Sequence, residues 1–384
     1  METRLAIESN DGSQAPELHL IGPLLLDILL PAAPGPLRAR HGSKVLATAE
    51  PSPADGSCTL TVPLLPVPAR CSLVLEQDVG SGWAPLATLA VERPALPVHP
   101  ARTPQLPRPL LVTSVGRSGS TLLMQMLAAH PDIAIDCTYP YETTEARQRF
   151  VAALESAQRA SRGQWDSPFR RPGWDRLLLT TVASLVRRAD EESGQWYADQ
   201  HRQRTGRDQL PVFYAEKNLG PATLVREARP DGREIFLVRD PRDMICSTLA
   251  FIDKRGETGF GRQDVQTDLE YVRHRAAMAR PWVLEPWLAR GDTAILVRYE
   301  ELVRDGAGVL ARIFAHLGLD GTPGTIADIM ACIAAPTDAL KSHMTTATPT
   351  ASIGRWRTDL PPDLREACEQ EFAEFLLTFG YGSD

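Results

Sequence analysis

Apolar residues fall into two regimes along the chain. From about Glu17 to Glu92 they come in short runs rich in Leu, Val and Thr, such as 59-TLTVPLL-65, 72-SLVLEQ-77 and 86-LATLAVE-92, cut by clusters of Pro, Gly, Ser and Asp. Short runs with turn chemistry between them predict a small antiparallel β-sandwich. From Leu110 onward the runs are continuous: 110-LLVTSV-115, 212-VFYAE-216, 235-IFLVR-239 and 294-AILVRY-299. Continuous runs of this length are the mark of parallel strands covered on both faces. Helices are expected near 120–129, 145–159, 177–188, 241–251, 269–290, 308–317 and 362–378. Strand followed by helix, repeated, predicts a three-layer α/β domain with a P-loop-like parallel sheet, binding its ligands at the carboxyl ends of the strands. Between the regimes, 93-RPALPVHPARTPQLPRP-109 is dense in proline and without periodicity, which predicts a linker. The expected division is therefore a small all-β domain at 1–92, a Pro-rich linker at 93–108 and an α/β domain at 109–384.

Composition narrows the class. The 384 residues exceed one typical domain, and 43% hydrophobic with 23% charged residues suits a folded enzyme. A formal net charge of -7 argues against a nucleic-acid partner held by a general basic field, so an anion site must concentrate its positive charge locally. The six cysteines, Cys58, Cys71, Cys137, Cys246, Cys332 and Cys368, show no CxxC pair and no zinc spacing. No metal is expected, and the thiols read as reduced and packed. Met1 to Gln14 lacks the basic start and apolar run of a signal peptide, which predicts cytoplasmic residence. The apolar stretch 21–33 is broken by Pro23, Asp27 and Pro31 and is too short to span a bilayer, so no membrane span is expected.

Chemistry enters where the first strand of the second regime runs into 116-GRSGSTLL-123. A glycine-bearing turn handing over to a helix presents unpaired backbone N–H groups at the positive end of the helix dipole. Gly119 permits close approach, Arg117 adds a charge, and Ser118, Ser120 and Thr121 add hydroxyl donors. Charge-assisted hydrogen bonds to an anion are each stabilising by about 1.5 to 3 kcal/mol, so four or five could hold a diphosphate-like group. The nucleoside-triphosphate loop GxxxxGK[ST] needs a lysine where this chain has Ser120. A second anchor follows another strand in 239-RDPRDMICS-247, where Arg239 ends the strand, Pro241 opens a helix and Ser247 lies two turns on. Read alone, its Arg and Asp residues could equally be a surface salt-bridge cluster.

With both motifs in order, the chain from about Pro109 to its end, roughly 275 residues, resembles the sulfotransferase family, particularly its tyrosylprotein and bacterial branches. The resemblance extends to 126-MLAAHPDIAI-135, 298-RYEELV-303 and 354-GRWRTDLPPDL-364. It implies that 117-RSGST-121 holds the 5′-phosphosulfate of the co-substrate 3′-phosphoadenosine 5′-phosphosulfate (PAPS), and that Arg239 and Ser247 hold its 3′-phosphate. The implied general base is Glu142 in 139-YPYETTEAR-147, with Glu145 and Asp136 as competitors. Lys217 is similar to the family lysine that reaches the sulfonate and leaving oxygen; pairing to Glu216 is its alternative. Arg117 shares that work, and Tyr299 lies near the 3′-phosphate or adenine. Arg355 reaches a phosphate beside Trp356, with 342–353 as a strap, although Trp356 could equally be core. His130, which ends a helix before Pro131, reads as a helix terminator.

The acceptor is not named by the sequence. Phe150, Trp165, Phe169, Trp174, Trp196 and Tyr197 could line a pocket or a core, and Arg170, Arg171, Arg187, Arg188, Arg202 and Arg204 read as a solvated face. A small molecule, a carbohydrate or a peptide all remain open, as does the oligomeric state. Two other classes compete: an ATP-dependent phosphotransferase, which the missing lysine disfavours, and a non-catalytic nucleotide-binding module, which Arg117, Lys217 and Arg239 disfavour.

Overall fold

The structure, a computed structural model, describes residues 4–10, 15–22, 24–42, 44–65, 67–96, 106–165, 174–218, 225–227, 229–256, 262, 265–290, 293–333 and 344–382. Residues 97–105 of the expected linker lie outside the described residues, as do Phe169, Arg170 and Arg171. The chain divides into two compact units, Met1–Pro104 with Glu145–Ser193 and Gly220–Pro230, and Gln105–Thr144 with Gly194–Leu219 and Asp231–Asp384.

The first unit holds two antiparallel sheets built from β1 (Arg4–Asn10), β2 (Glu17–Gly22), β3 (Leu25–Leu30), β4 (Leu37–His41), β5 (Lys44–Ala49), β6 (Cys58–Pro63), β7 (Arg70–Asp78) and β8 (Trp83–Glu92). One sheet runs β1-β8-β7-β4-β5 and the other β2-β3-β6. Alternation decides what is buried: Leu26, Ile28 and Leu30 of β3 and Cys58, Leu60 and Val62 of β6 enter the core with Leu73 and Leu75 of β7. β1 precedes the region expected to hold strands, and β8 offers it an antiparallel partner from Arg4↔Glu92 to Asn10↔Ala87, with a shift of register between Ile7 and Ser9. Arg93 is buried with its donors directed to the carbonyls of Leu64, Val67 and Pro94 and to Glu227, so the buried charge is paired.

The second unit has one parallel sheet of β9 (Arg108–Ser114), β10 (Ile133–Ala134), β11 (Phe213–Asn218), β12 (Arg233–Val238) and β13 (Ala294–Arg298), in the order β10-β11-β9-β12-β13. Helices among the described residues include α1 (Ser120–Ala128), α2 (Glu145–Trp165), α3 (Trp174–Thr205), α4 (Pro241–Arg255), α5 (Asp268–Ala279), α6 (Glu285–Ala289), α7 (Tyr299–Arg304), α8 (Gly306–Leu317), α9 (Pro323–Ile333), α10 (Trp356–Asp359), α11 (Pro362–Glu371) and α12 (Ala373–Phe379). β12 shows why its strand reads as one unbroken apolar run. Ile235 and Leu237 enter a core with Leu123 of α1 and Phe314 of α8, while Phe236 and Val238 enter another with Tyr271, Trp356 and Phe379. Helices thus cover both faces of a parallel sheet, the α/β three-layer class expected of this region.

Four elements differ from their sequence reading, the first being the single helix expected at 362–378, which is divided at Phe372 into α11 and α12. The helix expected at 177–188 is one helix of 32 residues, α3. The single helix expected at 269–290 is interrupted by a π-helical turn, Arg280–Leu284, where Pro281 supplies no N–H for the α-helical ladder. Tyr299 does not end a strand but begins α7. Among the described residues no helix is long and apolar enough to cross a membrane.

α4 carries the main polar anchor of this unit. Asp240 caps it by accepting from the Arg242 backbone N–H at 2.9 Å, and its carboxylate also takes the buried Arg242 guanidinium at 3.0 and 2.9 Å. That guanidinium lies 3.9 Å over the Trp356 ring. Asp240→Ala therefore removes a helix cap and leaves a buried charge short of its partner, and we expect a loss of about 3 kcal/mol. Urea unfolding of the variant beside the parent checks this.

Candidate active site

The turn between β9 and α1 takes a backbone path that few residues tolerate. Arg117 has φ +72° and Gly119 φ +86°, both left-handed. Any Cβ at position 119 would collide with the Tyr299 ring, so glycine is required there twice over. Two buried guanidiniums hold the turn from behind: Arg239 donates to the Arg117 carbonyl at 3.1 Å and Arg275 to the Gly116 carbonyl at 3.0 Å. Nothing in its local sequence marks Arg275, one arginine among many on a helix 159 residues away.

A cavity of about 640 Å³ opens over this turn, and Arg117, Thr121, Glu142, Lys217, Arg239 and Tyr299 line it. Gly119, Ser120 and Ser247 line it as well. Ser118 does not; it is buried, with its hydroxyl on the Met244 sulfur at 3.5 Å. Arg117 reaches across the turn, donating from Nε to Ser247 Oγ at 3.2 Å while its guanidinium lies 4.4 Å over Phe251. Burial, and then the neighbouring Arg239, push the Arg117 guanidinium down to about 10. Arg239 stacks 4.5 Å over Tyr299 and donates to the Ser352 carbonyl at 2.7 Å, while its buried Nε has no hydrogen-bond partner among the described residues.

Lys217 is buried on β11 and its ammonium donates to the Pro140 carbonyl at 2.7 Å, to Thr121 Oγ1 at 3.2 Å and to Glu142 Oε1 at 3.4 Å. Burial lowers its pKa, with Glu142 acting the other way. Strand alternation turns the preceding Glu216 to the other face, where it accepts from the Tyr197 hydroxyl at 2.6 Å, so Lys217 and Glu216 are not a pair. The two competing acids are engaged elsewhere. Glu145 pairs with Arg149 at 2.8 Å, and Asp136 accepts from the Thr138 N–H at 2.9 Å; burial raises the Asp136 pKa but hydrogen bonds from Thr143 and Thr138 outweigh it. His130 is buried between the Asp320 carbonyl and the Asp132 N–H, each at 3.1 Å, away from the cavity.

The segment 344–356 closes one side. Thr345, Pro349 and Ser352 line the cavity, and the Ser352 hydroxyl sits 3.0 Å from the Tyr299 hydroxyl. Its far end is clasped by Asp243, which accepts from the Gly354 N–H at 2.6 Å and the Trp356 N–H at 3.0 Å. Arg355 lies apart from the cavity. It pairs with Asp359 at 2.6 Å, donates to Thr345 Oγ1 at 3.1 Å and faces a second cavity on the other side of α4. Trp356 is core. Of the aromatic residues between Glu142 and Pro211, Phe150 and Tyr197 are buried and neither lines the cavity; the side chains of Trp165 and Trp174 lie outside the description. Arg187 and Arg188 form surface pairs with Glu191 and Glu192. Among the described residues no three His, Cys, Asp or Glu side chains are grouped to hold a metal ion.

The model of the sulfotransferase family matches residues 109–323, more than half of the chain. No curated protein matches the sequence. Solved structures that it resembles include a sulfotransferase of Mycobacterium avium, STF9, at 21% identity over 71% of this chain and 77% of that one, with a TM-score of 0.39. The sulfotransferase domain of the Synechococcus PCC 7002 olefin synthase is 22% identical over 74% of this chain and 99% of that domain, at 0.42. Mouse sulfotransferase SULT7A1, solved with PAP, is 14% identical over 73% and 87%, at 0.37.

Asp243 gives the site a pH signature. Burial raises its carboxyl to about 6 against the pull of its two backbone N–H bonds. An acid raised on folding binds more protons in the folded than in the unfolded state, so its contribution to stability falls as pH rises through 4 to 6. Two pKa units correspond to about 3 kcal/mol. The stability of the parent minus that of Asp243→Asn should fall by about this amount between pH 4 and 6.5 in urea unfolding; a constant difference would rule the assignment out.

Proposed function

The chain belongs to the sulfotransferase family, and we propose that it transfers the sulfuryl group of PAPS to a hydroxyl or amine of an acceptor by in-line displacement. The observation that carries this reading is the convergence of Arg117, Lys217 and Arg239 on one cavity at the start of α1, with Glu142 the carboxylate beside them. Three cations, hydroxyls and helix-terminal amides suit a polyanion with two separated anionic ends.

On this reading Arg239 and Ser247 take the 3′-phosphate, and Tyr299 supports Arg239 from below. Arg117, Ser120, Thr121 and the amides from Ser118 to Thr121, Gly119 included, take the 5′-phosphosulfate. PAPS supplies the sulfuryl group. Lys217 neutralises charge on the bridging oxygen as the sulfur–oxygen bond breaks, a role that suits a compact ammonium. Glu142 takes the acceptor's proton as its oxygen or nitrogen bonds to sulfur, and it stands within 3.4 Å of the Lys217 ammonium. Arg355 acts at one remove, holding Thr345 of the closing segment. Residues 109–384 carry the chemistry, joined by 93–108 to the β-domain of 1–92, in the cytoplasm, on a small-molecule, carbohydrate or peptide acceptor.

Calorimetric titration with 3′-phosphoadenosine 5′-phosphate (PAP) tests the donor. We expect micromolar binding, at least a hundredfold weaker in Arg239→Ala and much weaker with ATP; equal binding of ATP would put a phosphotransferase in its place. For the catalytic roles, Lys217→Met and Glu142→Gln should each lower kcat about a hundredfold or more while PAP affinity changes far less. Full turnover in Glu142→Gln would transfer the base role to another group.

A further inference from the structure

Resting on that reading, we propose that Arg255 recognises an anionic group on the acceptor, so that the acceptor carries a carboxylate, sulfate or phosphate besides the nucleophile that Glu142 deprotonates. Ser247, Phe251 and Arg255 are spaced four residues apart on α4, and all three line the cavity. This spacing puts them on one face of the helix, while Asp253 faces the second cavity. Ser247 and Arg239 mark the end that takes a nucleotide phosphate. Arg255 stands eight residues on, its Cα about 12 Å further along the helix axis than that of Ser247.

The intervening Phe251 ring joins the two regions. Arg117 lies 4.4 Å over it and Arg255 4.7 Å. Glu142 lines the same cavity, and Tyr139 connects it electrostatically to Arg255: burial raises the Tyr139 phenol, Arg117 and Arg255 lower it, and Glu142 raises it. Glu142 and Arg255 thus line one cavity of about 640 Å³, in which an acceptor can meet both. Arg255 is exposed and makes no ion pair among the described residues, whereas the adjacent Lys254 is directed to the Met344 carbonyl at 3.0 Å. The competing account is that Arg255 only complements the negative end of the α4 dipole. That role would leave the choice of acceptor unchanged when the charge is removed.

The test uses the full chain saturated with PAP. Inorganic sulfate is titrated at constant ionic strength with thermal unfolding as the readout, and 4-hydroxyphenylacetate is compared with its neutral amide as acceptor. Sulfate should stabilise the parent further and bind about tenfold more weakly to Arg255→Gln, with Arg255→Lys restoring most of the effect. The KM for the carboxylate should rise about tenfold in Arg255→Gln and that for the amide should not move. No sulfate response, an equal response in Arg255→Gln, or a KM that rises alike for both phenols overturns the proposal. Failure of the parent to bind PAP at all is a separate result, which removes the donor reading and this inference with it.

Discussion

Two buried guanidiniums decide how the turn after β9 is held. Arg239 and Arg275 make no ion pair among the described residues, and each is directed instead at a carbonyl of that turn. Burying an arginine is costly unless its protons find acceptors. The carbonyls of Arg117 and Gly116 meet part of that need, and because the C=O and N–H bonds of a trans peptide point to opposite sides, the N–H groups of Ser118 and Arg117 face away from the guanidiniums. The left-handed Arg117 costs about 1 to 2 kcal/mol in such a conformation, which persists because the surrounding contacts over-determine it. Tyr299 completes the frame by filling the space in which any side chain at position 119 would sit.

The electrostatics of the cavity follow from that frame. Among the described residues, Arg117, Lys217, Arg239 and Arg255 line one space with one carboxylate, that of Glu142. Burial and mutual repulsion lower the affinity of Arg117 for its proton, and burial does the same for Lys217. A pKa of about 10 still leaves Arg117 charged at neutral pH, so the unliganded site holds a repulsion that a polyanion relieves. The closing segment shares the same groups: Arg239 and Tyr299 both hold Ser352, and Asp243 holds Gly354. A ligand that draws Arg239 away from Ser352 acts on the segment that covers it.

The parts of this architecture legible in the sequence are those that local chemistry specifies. Continuous apolar runs give β9, β12 and β13 because both faces of a parallel strand are buried, and 116-GRSGSTLL-123 gives the turn because its glycines and hydroxyls have meaning at adjacent positions. The parts that escaped are contacts between distant segments. Nothing near Arg275 signals a carbonyl 159 residues earlier, and nothing near Asp243 signals the backbone of Gly354 and Trp356. Arg355 illustrates the converse: its place beside Trp356 suggested a phosphate ligand, but Asp359, one turn later on α10, takes its Nε. Arg255 went unremarked because a basic residue at a helix C-terminus has an adequate local explanation.

Sheet order turns these scattered positions into one site. Lys217 lies near the carboxyl end of β11, the phosphate turn follows β9, Arg239 follows β12 and Tyr299 follows β13, and these strands are neighbours in the order β11-β9-β12-β13. Because every one of these pairings is parallel, all four carboxyl ends lie on one edge of the sheet. Three strand spacings amount to about 14 Å, the length of sheet edge along which these groups are set out. The lysine at one end of this row and the Arg239–Tyr299 stack at the other are separated by the central turn, so the two groups of positive charge are set apart by the sheet itself. Glu142 stands at the β11 end of this row, beside Lys217, and the cations of the other strands are set out along the rest of the edge.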